Sequence, residues 1–147
     1  MTTQENMDKV LAGLDAVNRR DIKAFVSLLS PDFKLYLIVK PERLLPQGQI
    51  SGGDGFATYL RMLYAAFTDV IFEQKHLQAN GNMVHQEFLI RGKHNGPLQL
   101  PNGVTIPPTN RKVHLNVEVF HNFNDQGEYV SATGYANLVD IMKQFNG

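Results

Sequence analysis

The stretch that decides the fold runs from Gly92 to Gln144, GKHNGPLQLPNGVTIPPTNRKVHLNVEVFHNFNDQGEYVSATGYANLVDIMKQ. Between Lys112 and Phe123, Val113, Leu115, Val117 and Val119 fall on one side and His114, Asn116, Glu118 and Phe120 on the other. A period of two over that length predicts a long strand. Asn124-Asp125-Gln126-Gly127 then predicts a turn, Glu128 to Ala136 a last strand, and Asn137 to Phe145 a short closing helix. Upstream, Leu98-Gln99-Leu100 and Val104-Thr105-Ile106 flank Asn102-Gly103, a strong hairpin signal. A small β-flap is expected there, because a structureless loop of that length is uncommon inside a domain.

Towards the N-terminus the strand pattern continues through a second Asn-Gly pair. Val70 to Gln78 and Asn82 to His94 flank Ala79-Asn80-Gly81-Asn82 and predict a hairpin. Before it the period changes to that of helices. Met7, Val10, Leu11, Leu14 and Val17 predict a first helix, with Thr2-x-x-Glu5 as its capping box. Asp21 is the expected N-cap of a second, carrying Ile22, Phe25, Val26, Leu28 and Leu29 and stopped by Ser30-Pro31. Phe33 to Val39 is β-rich and predicts a strand, and Lys40 to Gly53 is irregular. A third helix is expected over Asp54 to Phe67, burying Phe56, Tyr59, Leu60, Leu63 and Phe67. Helices first and antiparallel strands after make the class α+β. Such a sheet, curved and covered by helices, leaves an apolar pocket between them.

Composition narrows the function. The chain has 147 residues, 43% of them hydrophobic, which fits one domain spanning residues 1–147 with a core that needs no staples. With no cysteine there are no disulfides or thiolate metal sites, as suits a reducing compartment. Fourteen basic and 14 acidic residues give a net charge of zero, with no like-charge block to mark a nucleic acid or anionic membrane as partner. Met1-Thr2-Thr3-Gln4-Glu5 does not begin a signal peptide, and no apolar run is long enough to span a bilayer. A soluble, cytoplasmic protein is expected.

The order of short motifs resembles SnoaL-like polyketide cyclases, a branch of the nuclear transport factor 2-like superfamily. The residues that carry the likeness are Phe67-Thr68-Asp69, Gly81-Asn82-Met83-Val84, Phe88, Arg91 to Gly96, Pro107 to Arg111, and Gly127-Glu128-Tyr129-Val130. The resemblance implies a cone-shaped α+β domain, proton-transfer chemistry such as cyclisation or isomerisation without metal or organic cofactor, and pairing into a homodimer through the open sheet face. It also implies an acid/base carboxylate on the last strand. Here that strand reads Ser131-Ala132-Thr133-Gly134, with Asn137 where the family has a second Asp. Gly134 has no side chain and Asn137 does not titrate, so the usual proton carrier is missing. One side of the strand, Val130, Ala132, Gly134 and Ala136, is small and apolar. It either leaves room for a larger ligand or lets the helices pack closely.

Two residues remain as candidate bases. Glu118, mid-strand, would have its pKa raised if its face walls the pocket. The alternative, which the clean alternation favours, puts His114, Asn116 and Glu118 on a solvent or dimer face. Glu87 is the other mid-strand carboxylate. His94 matches the family's strand-end histidine and is either a proton shuttle or a hydrogen-bonded structural residue. Tyr36, Tyr59, Phe88, Phe120, Gly134 and Asn137 are expected to line the pocket; Tyr64 and Tyr135 are further hydroxyls. His76 and His85 face each other if the hairpin loop has two residues, but no third ligand at a metal-binding spacing accompanies them. Ser51 to Gly55 lacks the lysine and spacing of a phosphate loop and reads as a helix entry capped by Asp54. The expected ligand is a small apolar carbonyl-bearing molecule; the alternative is a non-catalytic binding or dimerisation module. A hydrolase is a weaker third reading, since no Asp-Arg-Asp or Tyr/His/Asp set can be read from spacing.

Overall fold

The computed structural model of the chain describes residues 3–40, 48–99, 103–137 and 143–144. The first helix, α1 (Thr3–Asn18), places Glu5 in its first turn, where a negative charge offsets the exposed amide dipoles. Thr2, the other half of the expected capping box, lies outside the described residues. The buried line of α1 is Asn6, Val10, Gly13, Ala16 and Val17, whereas Leu11 points outward at 39% exposure. Gly13 is small for a reason: a Cβ there would meet the Phe25 ring at 3.2 Å.

The end of α1 closes by backbone hydrogen bonds from Arg20 N–H to Val17 O (3.1 Å) and Asp21 N–H to Ala16 O (2.9 Å). That double closure needs a left-handed residue, usually glycine. Arg20 takes the role at φ 60°. Its guanidinium lies 4.7 Å from the Tyr64 ring centroid and bonds the Thr68 carbonyl, contacts a glycine would forfeit. Asp21 caps the next helix as expected, accepting from the Ala24 N–H at 3.0 Å.

That helix, α2 (Ile22–Val26), is shorter than its apolar residues predict. The chain turns extended at Leu29 because residues 29–40, β1 (Leu29–Lys40), find partner strands on both sides. Strand pairing outweighs the local helical signal, and Pro31 already disfavours helix at Ser30. β2 (Gly48–Ser51) leads directly into α3 (Gly52–Ala66). Ser51, not Asp54, is the N-cap; Asp54 sits in the first turn. Phe67 follows as the C-cap, its N–H on Leu63 O.

β3 (Ile71–Asn80) and β4 (Met83–Lys93) form the expected hairpin. Its loop is Gly81-Asn82, with Gly81 at φ 61°, the position where a twisted two-residue turn needs positive φ. An extra residue, Lys75, interrupts the pairing between Gln74 and His76. This bulge changes the phase of β3, so that Phe72 and Gln74 on one side of it and Leu77 and Ala79 on the other all turn inward. The flap is β5 (Leu98–Gln99) with β6 (Thr105–Ile106). β7 (Lys112–Phe123) and β8 (Tyr129–Asn137) complete the sheet. Of the closing helix only Lys143 and Gln144 are described, and both are helical. The Gln144 amide bonds both backbone groups of His114 (2.6 Å each), extending the sheet edge where β8 has ended.

The sheet order is β2-β1-β8-β7-β4-β3. From β3 to β8 the strands are sequential antiparallel neighbours with the flap inserted. The expectation of a wholly antiparallel sheet needs one correction: β1 runs parallel to β8. One helix, α3, and the strands β2 to β7 separate β1 from β8 along the chain, so the two meet through a crossover rather than as hairpin partners. The helices cover one face. Two buried clusters lie between them, one around Phe67, Leu63 and Ile90, the other around Phe33, Val119 and Tyr129.

Two of the motifs that carried the family resemblance, Phe67 to Asp69 and Arg91 to Gly96, meet at one joint. Asp69 Oδ1 accepts the Lys93 N–H at 2.9 Å, and the Asn95 side chain bonds both the N–H and the hydroxyl of Thr68. The amides of Asn95 and Gly96 both donate to Ala66 O, at 3.2 and 3.1 Å. A Cβ on Gly96 would stand 1.8 Å from the Ala65 carbonyl oxygen, so only glycine lets the strand end approach α3 this closely.

Candidate functional site

Inner-facing residues of β4, β7 and β8 meet α1 and α3 around an apolar cavity of about 110 Å³. Val10, Gly13 and Val17 form its α1 side, and Phe56, Tyr59 and Leu63 its α3 side. The sheet contributes Phe88, Ile90, Val117, Val119, Ala132 and Gly134. Lys9 stands beside it with its ammonium on the Gly127 carbonyl.

Polar groups enter this cavity as a chain. Tyr129 donates its hydroxyl proton to His121 Nδ1; His121 Nε2–H donates to Gln86 Oε1 at 2.8 Å; Gln86 Nε2–H donates to Gln74 Oε1 at 2.9 Å. The direction is forced, because the amide oxygen of Gln86 can only accept and its nitrogen only donate. All members are neutral. Burial drives the His121 pKa down to about 3, with nearby His85 adding a smaller push. Burial likewise raises the Tyr129 phenol above its ordinary value.

Tyr59 differs. Its hydroxyl has no hydrogen-bond partner among the described residues, and burial pushes its pKa up to about 12. It is a protonated phenol at the wall of an apolar cavity, free to donate. Among the described residues lining the cavity there is no carboxylate.

The residues singled out from the sequence divide sharply. Tyr59, Phe88 and Gly134 line the cavity. Tyr36 faces away from it at 39% exposure. The side chain of Asn137 is outside the described residues. Glu118 and Phe120 lie on the outer sheet face, where Glu118 Oε1 is 2.7 Å from His85 Nε2 and Phe120 stacks on the His85 ring at 4.7 Å. Glu87 is exposed on that face too.

His94 is wholly buried at the end of β4, its ring 5.4 Å from that of Phe67. Its Nδ1 accepts from the Thr109 N–H (3.3 Å) and pairs with the Thr109 hydroxyl (3.0 Å). Desolvation lowers its pKa, opposed in part by a hydrogen bond with the Gly96 backbone. These contacts hold the Pro107 to Arg111 turn against the sheet; the cavity lies elsewhere. Tyr64 donates to Val17 O at 2.7 Å and ties α3 to α1. Tyr135 packs edge-on against Phe120 outside.

His121, Gln86 and Tyr129 were not singled out from the sequence. The period of two that runs Val113, Leu115, Val117, Val119 does continue inward to His121, and Val84, Gln86, Phe88 share the inner face of β4. Tyr129 was hidden by an irregularity: the pairing jumps from Phe123↔Tyr129 to Asn122↔Ser131. Val130 is the extra residue, so Tyr129 joins Ala132 and Gly134 indoors in its place. The hairpin loop is Gly81-Asn82 rather than Asn80-Gly81, which sets Gln78, not His76, opposite His85 and leaves the two imidazole rings 5.8 Å apart on a diagonal.

A family model described as a SnoaL-like domain matches residues 10–132. No curated protein matches the chain in sequence. Among solved structures, one provisionally named a SnoaL-like polyketide cyclase from Jannaschia sp. CCS1 superposes with a TM-score of 0.80 at 16% identity, over 99% of this chain and 94% of that one. A protein provisionally named a polyketide cyclase, from Xanthomonas campestris pv. campestris, gives 0.73 at 22% identity, over 97% and 98%. TerC, crystallised with polyporic acid, gives 0.71 at 15% identity, over 97% and 99%. At these identities the likeness establishes a shared fold. No described helix is long and apolar enough to cross a membrane.

Proposed function

The chain belongs to the SnoaL-like domain family, and from that premise we propose that it binds a small, mostly apolar, carbonyl-bearing molecule in the cavity beneath α1 and α3. The observation that carries this reading is Tyr59, a half-buried, protonated phenol on a largely apolar wall whose other polar side chains, Lys9, Gln86, His121 and Tyr129, are already engaged. Apolar surface supplies the attraction, about 25 cal/mol for each Å² removed from water. A carbonyl oxygen taken into such a space without a donor loses about 1–3 kcal/mol, and Tyr59 is the group that offsets that loss. That a protein of the same fold was crystallised with polyporic acid supports an organic ligand for this one.

Binding, rather than proton transfer, is what the polar chain favours. His121 is the titratable group closest in kind to a base, yet Nδ1 already receives the Tyr129 proton and Nε2–H is given to Gln86. Abstracting a substrate proton would require breaking the Tyr129 bond and charging an imidazole held far below its ordinary pKa. Cyclisation or isomerisation, suggested by the names of the structural relatives, would have to run through that costly step in this cavity.

Calorimetric titration with acetophenone and with ethylbenzene tests the proposal, since the two share shape and differ in the carbonyl. Tighter binding of the ketone, lost in Tyr59→Phe, is expected. Equal affinities for the pair, or a preference that survives Tyr59→Phe, would remove the carbonyl from the reading.

A further inference from the structure

The outer face of the sheet carries a second cluster, independent of the cavity. The β4·β7 register puts Glu87 directly opposite Glu118, and like charges so placed repel across the ladder. His85 is two residues from Glu87 on the same face, with Nε2 2.7 Å from Glu118 Oε1. One donor atom from each of the three side chains lies within 4.8 Å of the others. Lys75 lines the same groove, yet its ammonium is turned to Glu73 at 3.6 Å.

We propose that His85, Glu87 and Glu118 form a binding site for a divalent cation of the zinc type. One imidazole nitrogen and two carboxylates make a donor set that zinc accepts, whereas magnesium and calcium prefer oxygen alone. The two carboxylates neutralise the ion, and the ion removes their mutual repulsion. The ligands stand on neighbouring paired strands, and the Phe120 ring supports the imidazole from one side. These are rigid supports, so little ordering is needed on binding. The groove is open, so water completes the coordination. The carboxylate of Glu118 only accepts, which places a proton on His85 Nε2 in the metal-free protein; on binding, the ion takes the place of that proton at Nε2 and the neutral ring carries its proton on Nδ1 instead.

Calorimetric titration of the untagged full-length chain with zinc chloride, in a buffer that does not chelate, decides the matter. One ion per chain with micromolar affinity is expected. His85→Ala, Glu87→Gln and Glu118→Gln should each weaken it by about tenfold or more. His114→Ala, which removes an exposed imidazole of β7 outside the cluster, should change it less than about twofold, and magnesium chloride should give no saturable heat. Circular dichroism checks folding of each variant. If His85→Ala does not fold, Glu87→Gln, at an exposed position, still decides. Absence of saturable binding below about 1 mM, full affinity in the folded cluster variants, or an equal loss in His114→Ala would overturn the site, the last by showing adventitious binding to surface histidines.

Discussion

The two faces of β4 and β7 are built from the same strands and differ in what surrounds them. On the outer face His85 meets a carboxylate in an open groove. On the inner face His121, buried, meets a phenol and an amide beside the apolar cavity. Two imidazoles on adjacent strands thus have opposite fates, one beside charge and water, the other kept neutral by burial. Residue type alone does not say which will occur; the side of the sheet does.

That contrast is open to direct measurement. The largest effect belongs to His121→Ala, which leaves the Tyr129 hydroxyl and the Gln86 carbonyl without their partner and opens a void. A loss of about 3 kcal/mol in denaturant unfolding is expected. His85→Ala, on the other face, should cost under about 0.5 kcal/mol. Comparable losses in the two variants would mean that the inner chain is not the structural element described above.

Acid should find the inner face next. His121 titrates near 6.5 when unfolded and near 3 when folded. Between those values the unfolded chain binds the extra proton, so stability rises with pH across that window and is lost as pH falls below 6.5. The slope is about 1.4 kcal/mol for each pH unit, with His94, whose pKa desolvation also lowers, acting in the same direction. His121→Gln retains an acceptor for Tyr129 and a donor for Gln86 without titrating, and it should flatten the acid limb of the melting temperature against pH. An unchanged limb would place the acid-sensitive group elsewhere.

Tyr59→Phe should be smaller and confined to ligand. Ketone affinity is expected to fall about fivefold to tenfold, near 1 kcal/mol, with the hydrocarbon unaffected and the unfolding midpoint unmoved or slightly raised. Smallest of all is Glu118→Gln in metal-free protein. It weakens a half-exposed hydrogen bond with His85 and removes a like-charge opposition together, and these cancel to within about 0.5 kcal/mol. A larger change would show that the outer pair contributes to stability as well as to the groove.

Much of the architecture was legible in advance. The alternation in Lys112 to Phe123 predicted both the strand and its inward face, and Asn80-Gly81 located the hairpin. Asp21 was read correctly as a cap because its side chain acts on an amide three residues away. The second helix was over-extended because Leu28 and Leu29 fit a helical stripe until a strand from the other end of the chain offers pairing. The candidate site was read less well. Glu118 was weighed as a base only if its face walled the cavity, and it lies on the other side. His121, on the inner side of the same strand, drew no role because a histidine near a strand end carries no distinguishing local mark. The bulge at Val130 concealed Tyr129, since one inserted residue reverses every side chain beyond it, and a hairpin loop displaced by one residue, to Gly81-Asn82, moved His76 from opposite His85 to opposite Glu87.

The amino-acid order alone settled the α+β class, the run of strands after the helices, and the family motifs, all of which depend on contacts between near neighbours. Two of those motifs, Phe67 to Asp69 and Arg91 to Gly96, proved to be the joint between α3 and the end of β4, so there the resemblance tracked architecture. Which groups share the cavity, and which stay neutral, was decided only when β1 closed parallel against β8 and the bulges set the phase of β3 and β8. Burial and opposed register are properties of the folded whole, and no local pattern encodes them.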